Sequence, residues 1–134
     1  MPFDGKILLA DDEAHIRKFV GLILRQLGSP TIIEAVNGAQ AVELYQSERP
    51  DLVILDVNMP EVDGLQALEK LRALDPDCAV IMLTSLSTRS IIERAAELGA
   101  INYIRKDTPK EEILATLREI LDTMFEPDDE ANNT

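Results

Sequence analysis

Five times along the chain, a short apolar run gives way to a segment whose apolar residues recur every three or four positions. The runs are Lys6–Ala10 (KILLA), residues 31–36, 52–55 (LVIL), 79–83 (AVIML) and 102–104. KILLA, LVIL and AVIML are continuous rather than alternating, which predicts strands covered on both faces. After the first run, Ile16, Phe19, Val20, Ile23, Leu24 and Leu27 mark one helical face over residues 14–27, closed by Gly28. Asn37-Gly38 reads as a turn into a second helix over about 39–48, with Ala41, Val42 and Tyr45 on one side and Pro50 as its stop. A third helix spans about 65–74 and is closed by Asp75-Pro76. A fourth, near 88–98, carries Ile91, Ile92, Ala95 and Leu98 and ends at Gly99. Pro109 opens the last helix, where a missing N–H costs nothing; its apolar face is Ile113, Leu114, Leu117, Ile120, Leu121 and Met124.

Strand and helix alternating five times predict a parallel sheet with right-handed crossovers and helices on both faces. Five strands in roughly 120 residues are too few for a closed eight-stranded barrel. What remains is an α/β fold, a doubly wound, flavodoxin-like (βα)5 sheet of strand order 2-1-3-4-5. Ligands of such sheets sit outside the carboxyl ends of the strands, where the order reverses.

Composition narrows the setting. The 134 residues make one domain, large enough to build a core without disulfides or structural metal. No apolar run approaches the roughly 20 residues that span a bilayer. The start, MPFDGKILLADDE, places an acid before its short apolar run and offers no small-residue cleavage site, unlike a secretory signal. Cys78, the single cysteine, has no disulfide partner and no companions for a metal cluster. A cytoplasmic protein is expected. Lys and Arg total 13 against 25 Asp and Glu, a formal net charge of −12, so the domain carries no electrostatic footprint for nucleic acid. The ending EPDDEANNT has almost nothing apolar to bury. Residues 126–134 are therefore expected to be a disordered acidic tail after a domain spanning 1–125.

The chemistry gathers at the predicted carboxyl ends. The first strand runs into Asp11-Asp12, the third into Asp56, the fourth into Thr84-Ser85 and the fifth into Lys106. Two unit charges about 4 Å apart interact by about 4 kcal/mol at an effective dielectric near 20, so three clustered carboxylates repel strongly unless neutralised. Either their pKa values rise or a cation sits among them. Oxygen ligands without histidine or thiolate favour Mg²⁺. A carboxylate beside such a cation can attack phosphorus and form an aspartyl phosphate. Lys106 can balance the phosphoryl charge and the Thr84 hydroxyl can donate to it; phosphoryl transfer asks for little beyond such positioning and neutralisation.

These pieces together, Asp11-Asp12, Asp56 followed by NMPEVDG with Gly64, Thr84-Ser85, Gly99-Ala100, Tyr103 and Lys106, resemble the receiver domain of two-component response regulators over roughly residues 6–125. The resemblance implies that Asp56 is the phosphoacceptor and that Asp11, Asp56 and the backbone carbonyl of Asn58 hold Mg²⁺, for which Mn²⁺ can substitute. Asp12 supports the metal mostly through water. Thr84, Ser85 and Lys106 bind the phosphoryl group, and Thr84 and Tyr103 form a switch pair reporting to the surface of the fourth helix, fifth strand and fifth helix. The implied partners are a sensor histidine kinase or phosphotransfer protein as donor and a downstream target protein, with no direct nucleic acid or membrane. The implied state is a monomer or a phosphorylation-dependent dimer. Nothing after Phe125 is long enough for an output domain, so a stand-alone regulator of the chemotaxis type is expected, or else a receiver excised from a longer regulator. Asn58 and Leu86 flank the site and are positioned to tune the phosphoryl lifetime. One departure stands out: receivers commonly place proline after the lysine, often cis, whereas Lys106 is followed by Asp107-Thr108-Pro109. A trans bond is expected there.

Plainer readings compete at each residue. Asp11 and Asp12 could cap the first helix, and Asp12 could do both jobs. Thr84 could satisfy a strand-end backbone group, Lys106 could be a surface lysine, and Tyr103 could simply pack. Gly64 serves a tight turn into the third helix, and Pro60 shapes the same loop. His15 has no companion at metal spacing and reads as solvated or packed; Cys78 reads as an inert, partly buried thiol. Other functions fare worse. A hydrolase with an aspartyl-phosphate intermediate needs a general acid/base beside the nucleophile, and two residues after Asp56 stands Asn58, not an acid. A flavodoxin-like cofactor carrier needs a hydroxyl- and glycine-rich phosphate loop after the first strand, where this chain has DDEAH. The expected protein is not an enzyme, beyond promoting its own phosphorylation and autodephosphorylation.

Overall fold

The computed structural model describes residues 3–59, 62–85 and 88–124. The expectations for Pro60, Leu86 and the tail 126–134 lie outside these residues. The order is β1 (Lys6–Ala10), α1 (Ala14–Leu24), β2 (Thr31–Ala35), α2 (Gly38–Glu48), β3 (Leu52–Asp56), α3 (Gly64–Leu74), β4 (Val80–Thr84), α4 (Arg89–Glu97), β5 (Asn102–Arg105) and α5 (Lys110–Met124). All strand pairs are parallel, in the order β2-β1-β3-β4-β5. This is the doubly wound arrangement predicted from the strand–helix alternation.

The continuous apolar strands are explained by a core on each face. Leu8, Ala10, Val53, Leu55, Val80 and Met82 face Ala41 and Tyr45 of α2, Ala67, Leu68 and Leu71 of α3, and Ala95 of α4. Their alternates, Ile7, Leu9, Leu52, Ile54, Ile81 and Leu83, meet Val20, Ile23 and Leu24 of α1 and Ile113, Leu117 and Leu121 of α5. The period of two along a strand thus feeds two layers, so neither face could remain polar.

Local chemistry sets the ends. Asn37 caps α2 by accepting from the Gln40 amide at 2.7 Å, so the helix begins at Gly38 and the predicted Asn37-Gly38 turn is its cap. Asp63 and Gln66 form a reciprocal capping box at the start of α3. Four other expectations shift. α1 stops at Leu24, and Leu27 is instead buried in the turn whose carbonyl accepts from the Phe3 amide at 2.7 Å. Val36 lies beyond β2 and is exposed, and Ile92 of α4, expected on the apolar face, points outward. Pro109 precedes α5, its carbonyl accepting from the Glu112 and Ile113 amides. No cis peptide occurs among the described residues, so the bond after Lys106 is trans as expected.

Candidate functional site

Strands with parallel neighbours on both sides deliver their last residues to the same edge, and three of those residues are polar. Among the described residues, the buried polar side chains are Asp11, Asp56 and Thr84, following β1 or ending β3 and β4. Among the described residues, the buried polar side chains therefore all stand at one edge of the sheet, where partners can offset the cost of burial.

Asp11 is held by both backbone and side-chain partners. Its amide donates to the Ala35 carbonyl at 3.0 Å, prolonging the β1–β2 ladder, and its Oδ1 accepts from the Glu13 amide at 2.8 Å. Its carbonyl accepts from Arg17 Nη1 at 2.7 Å, while Arg17 Nε pairs with Glu34 at 2.7 Å. The capping alternative for the acidic pair is not realised: the N-cap of α1 is Glu13, with no side-chain capping bond. Asp12 is exposed beside the cluster, and one carboxylate oxygen each from Asp11, Asp12 and Asp56 lie within 4.8 Å of one another.

Asp56 ends the central strand. Its Oδ1 accepts from the Asn58 amide at 3.3 Å. The chain then turns so tightly that the Gly64 amide donates to the Val57 carbonyl at 2.8 Å, and a Cβ on Gly64 would collide with the Asp56 carbonyl and the Val57 Cα. Gly64 thus seats the start of α3 directly against the Asp56 backbone, a closer role than the turn read from sequence. The Gly38 amide ties the same loop to α2 through the Val62 carbonyl at 3.0 Å.

Lys106 arrives from β5, its amide bonded to the Thr84 carbonyl at 2.7 Å. Its side chain is only 10% exposed, and Nζ lies 2.9 Å from Asp11 Oδ2, 3.2 Å from Asp56 Oδ1 and 3.1 Å from Glu13 Oε1. The surface-lysine alternative fails on that geometry. Burial alone would lower the Lys106 pKa, but Asp11, Asp56 and Glu13 outweigh it and the ammonium is held above its ordinary range. The Asp56 pKa also rises, which for a carboxyl disfavours the charged form: burial first, then the Asp11 charge, push it up to about 7, against the opposing pull of Lys106. The Thr84 side chain hydrogen-bonds Tyr103, whose ring also packs against the core, and burial raises the phenol pKa. Asn58 and Ser85 stand exposed at the rim. His15 is exposed, as expected, and Cys78 is buried with its thiol pKa raised by burial.

Two atoms test whether a cation fits. Asp56 Oδ2 is buried with no hydrogen-bond partner among the described residues. Asp11 Oδ2 meets Lys106 only as an ion pair outside hydrogen-bond geometry. Both belong to a hard-oxygen set in which one ammonium faces several carboxylates. A divalent cation of the Mg²⁺ class would satisfy those oxygens and offset the Asp11 charge that adds to burial in lifting Asp56. Sequence reasoning missed Glu13 and Arg17. Glu13 was signalled only by standing next to the acidic pair, and Arg17 by nothing beyond its place on α1.

The chain is similar to known proteins in both sequence and fold. The response regulator receiver domain family matches residues 7–118. The chain is similar to the chemotaxis protein CheY of Bacillus subtilis, 36% identical over 116 residues, covering 87% of this chain and 97% of that one. It is also similar to sporulation initiation phosphotransferase F of Bacillus subtilis, 34% identical over 116 residues and covering 87% and 93%. The fold matches CheY in the crystal structure of the CheX-CheY-BeF3-Mg complex from Borrelia burgdorferi with a TM-score of 0.82, at 26% identity and covering 87% and 88%.

Proposed function

This chain belongs to the response regulator receiver domain family, and we propose that it accepts a phosphoryl group on Asp56 as a relay in two-component signalling. The observation that carries the reading is the Asp11–Lys106–Asp56 cluster: a buried carboxylate at a strand end, 3.2 Å from an ammonium, with one oxygen left without a hydrogen bond.

In the step itself an Asp56 oxygen forms a bond to phosphorus as the bond from phosphorus to the donor breaks. With acetyl phosphate as donor, the carboxylate becomes the acyl phosphate and acetate leaves with the electron pair, so no proton need move. With a phosphohistidine donor from a sensor kinase or phosphotransfer protein, imidazole nitrogen is the leaving atom. Asp11, Asp56 and the Asn58 carbonyl would hold Mg²⁺, with Asp12 assisting mostly through water. When bound, the cation supplies charge neutralisation for the phosphoryl oxygens. Lys106 pairs with the new phosphoryl charge, and Thr84 and Ser85 donate hydrogen bonds to it.

Signalling follows from the Thr84 hydroxyl leaving its Tyr103 partner for the phosphoryl group. The ring then settles inward, and the surface of α4, β5 and α5 changes for a downstream target protein. No helix among the described residues is long and apolar enough to cross a membrane. The test is intact mass after incubation with acetyl phosphate, with Mg²⁺, with chelator, and in Asp56→Asn. One added phosphoryl group that needs both Mg²⁺ and Asp56 supports the reading. No addition under any condition reduces the protein to a receiver-like interaction module.

A further inference from the structure

An ammonium surrounded by three carboxylates has one contact more than phosphoryl binding at Asp56 explains. The extra partner is Glu13. Of the three, it alone accepts a hydrogen bond of ordinary geometry from Lys106, at 3.1 Å, whereas Asp11 and Asp56 are ion-pair contacts. Its side chain is also the exposed member, 47% against 0% and 1% for the other two.

A second observation points the same way. Glu13 occupies the N-cap of α1 in extended backbone, φ −98° and ψ 114°, yet makes no side-chain capping bond. Free amides at a helix start attract a carboxylate. This one reaches away from them to Lys106, 93 positions along the chain.

Resting on the phosphoacceptor reading, we propose that Glu13 is a stand-in acceptor for the Lys106 ammonium, released when a phosphoryl group arrives at Asp56, and that this release restrains phosphoryl uptake. While Glu13 holds one of its three N–H groups, Lys106 has one donor fewer to offer a phosphoryl oxygen. Asp11 and Asp56 are buried and fixed, so the exposed partner is the one that gives way. Water then solvates the freed carboxylate, and the whole exchange is small, as exposed ion pairs are.

Two substitutions separate this role from simple charge repulsion at the mouth of the site. Glu13→Gln removes charge and ion pair together. Glu13→Asp keeps the charge, but its shorter side chain falls short of Lys106 and suits the vacant N-cap bond. Phosphorylation rates with acetyl phosphate in Mg²⁺ are expected to rise about two- to five-fold in both variants, the scale set by losing one exposed ion pair. In metal-free protein, ¹⁵N-resolved exchange of the Lys106 ammonium protons with water is expected to quicken in both.

If only Glu13→Gln is faster, the effect is charge at the entrance and the stand-in role is overturned. Wild-type rates in both variants, or unchanged ammonium exchange in both, overturn it as well while leaving the phosphoacceptor function in place. A wild-type protein that takes up no phosphoryl group removes the function beneath it, and the proposal falls with it.

Discussion

Replacing Asp56 with Asn in metal-free protein should make the fold more stable at mildly alkaline pH, and by an amount the structure sets. The Asp56 carboxyl is 1% exposed, and its pKa is lifted from 3.8 to about 7 by burial and by the Asp11 charge. Between those values the folded chain holds a proton that the unfolded chain has released. The folded state therefore binds more protons, and stability falls as pH rises through that window. A rise of roughly three units at 1.36 kcal/mol each is about 4 kcal/mol. Lys106 does not blur the window, because a raised lysine adds stability that is present throughout and lost only in strong alkali. Asn mimics the protonated carboxyl. Wild type and Asp56→Asn should thus match near about pH 4, and by about pH 8 the variant should lead by about 4 kcal/mol. Urea unfolding followed by far-ultraviolet circular dichroism, in chelator and at stepped pH, measures the gap. A gap that stays flat across the window, or a wild type that gains on the variant as pH rises, refutes the reasoning.

Three further outcomes follow from the same site. Mg²⁺ at a hundredfold its Kd should raise wild-type stability by about 2.7 kcal/mol in the same unfolding assay. Arg17→Ala, which loses the 2.7 Å bond to the Asp11 carbonyl, should weaken Mg²⁺ binding by about 10- to 100-fold in titration calorimetry. Gly64→Ala drives a methyl into the Asp56 carbonyl and should cost about 1–3 kcal/mol, read from the shifted urea midpoint.

Sequence periodicity carries information about faces, and this fold is built from faces. LVIL and AVIML could be read as fully covered strands because burial on both sides leaves no polar alternation. Asp56, Thr84 and Lys106 were legible as a set because strand ends in a parallel sheet meet at one edge. What escaped is contact geometry across long separations. Nothing periodic links Glu13 to Lys106 or Arg17 to Glu34, since each pair depends on how two loops are seated after the sheet forms. Leu27 was misplaced for a related reason. It is apolar at helical spacing, but its burial comes from a turn closed by Phe3, a residue 24 positions away whose pairing with Gly28 no local pattern announces.

The strand order has a consequence for how such a molecule can diversify. Asp56 sits at the end of β3, hydrogen-bonded to a strand on each side, while β5, which carries Tyr103, is a rim strand with one neighbour. Substitutions at the middle of the sheet disturb both flanking layers at once. Those on the outer side of β5, α4 and α5 disturb little besides themselves. Under the proposed function, the outer rim could be rewritten for a different listener while the acceptor at the centre keeps its geometry.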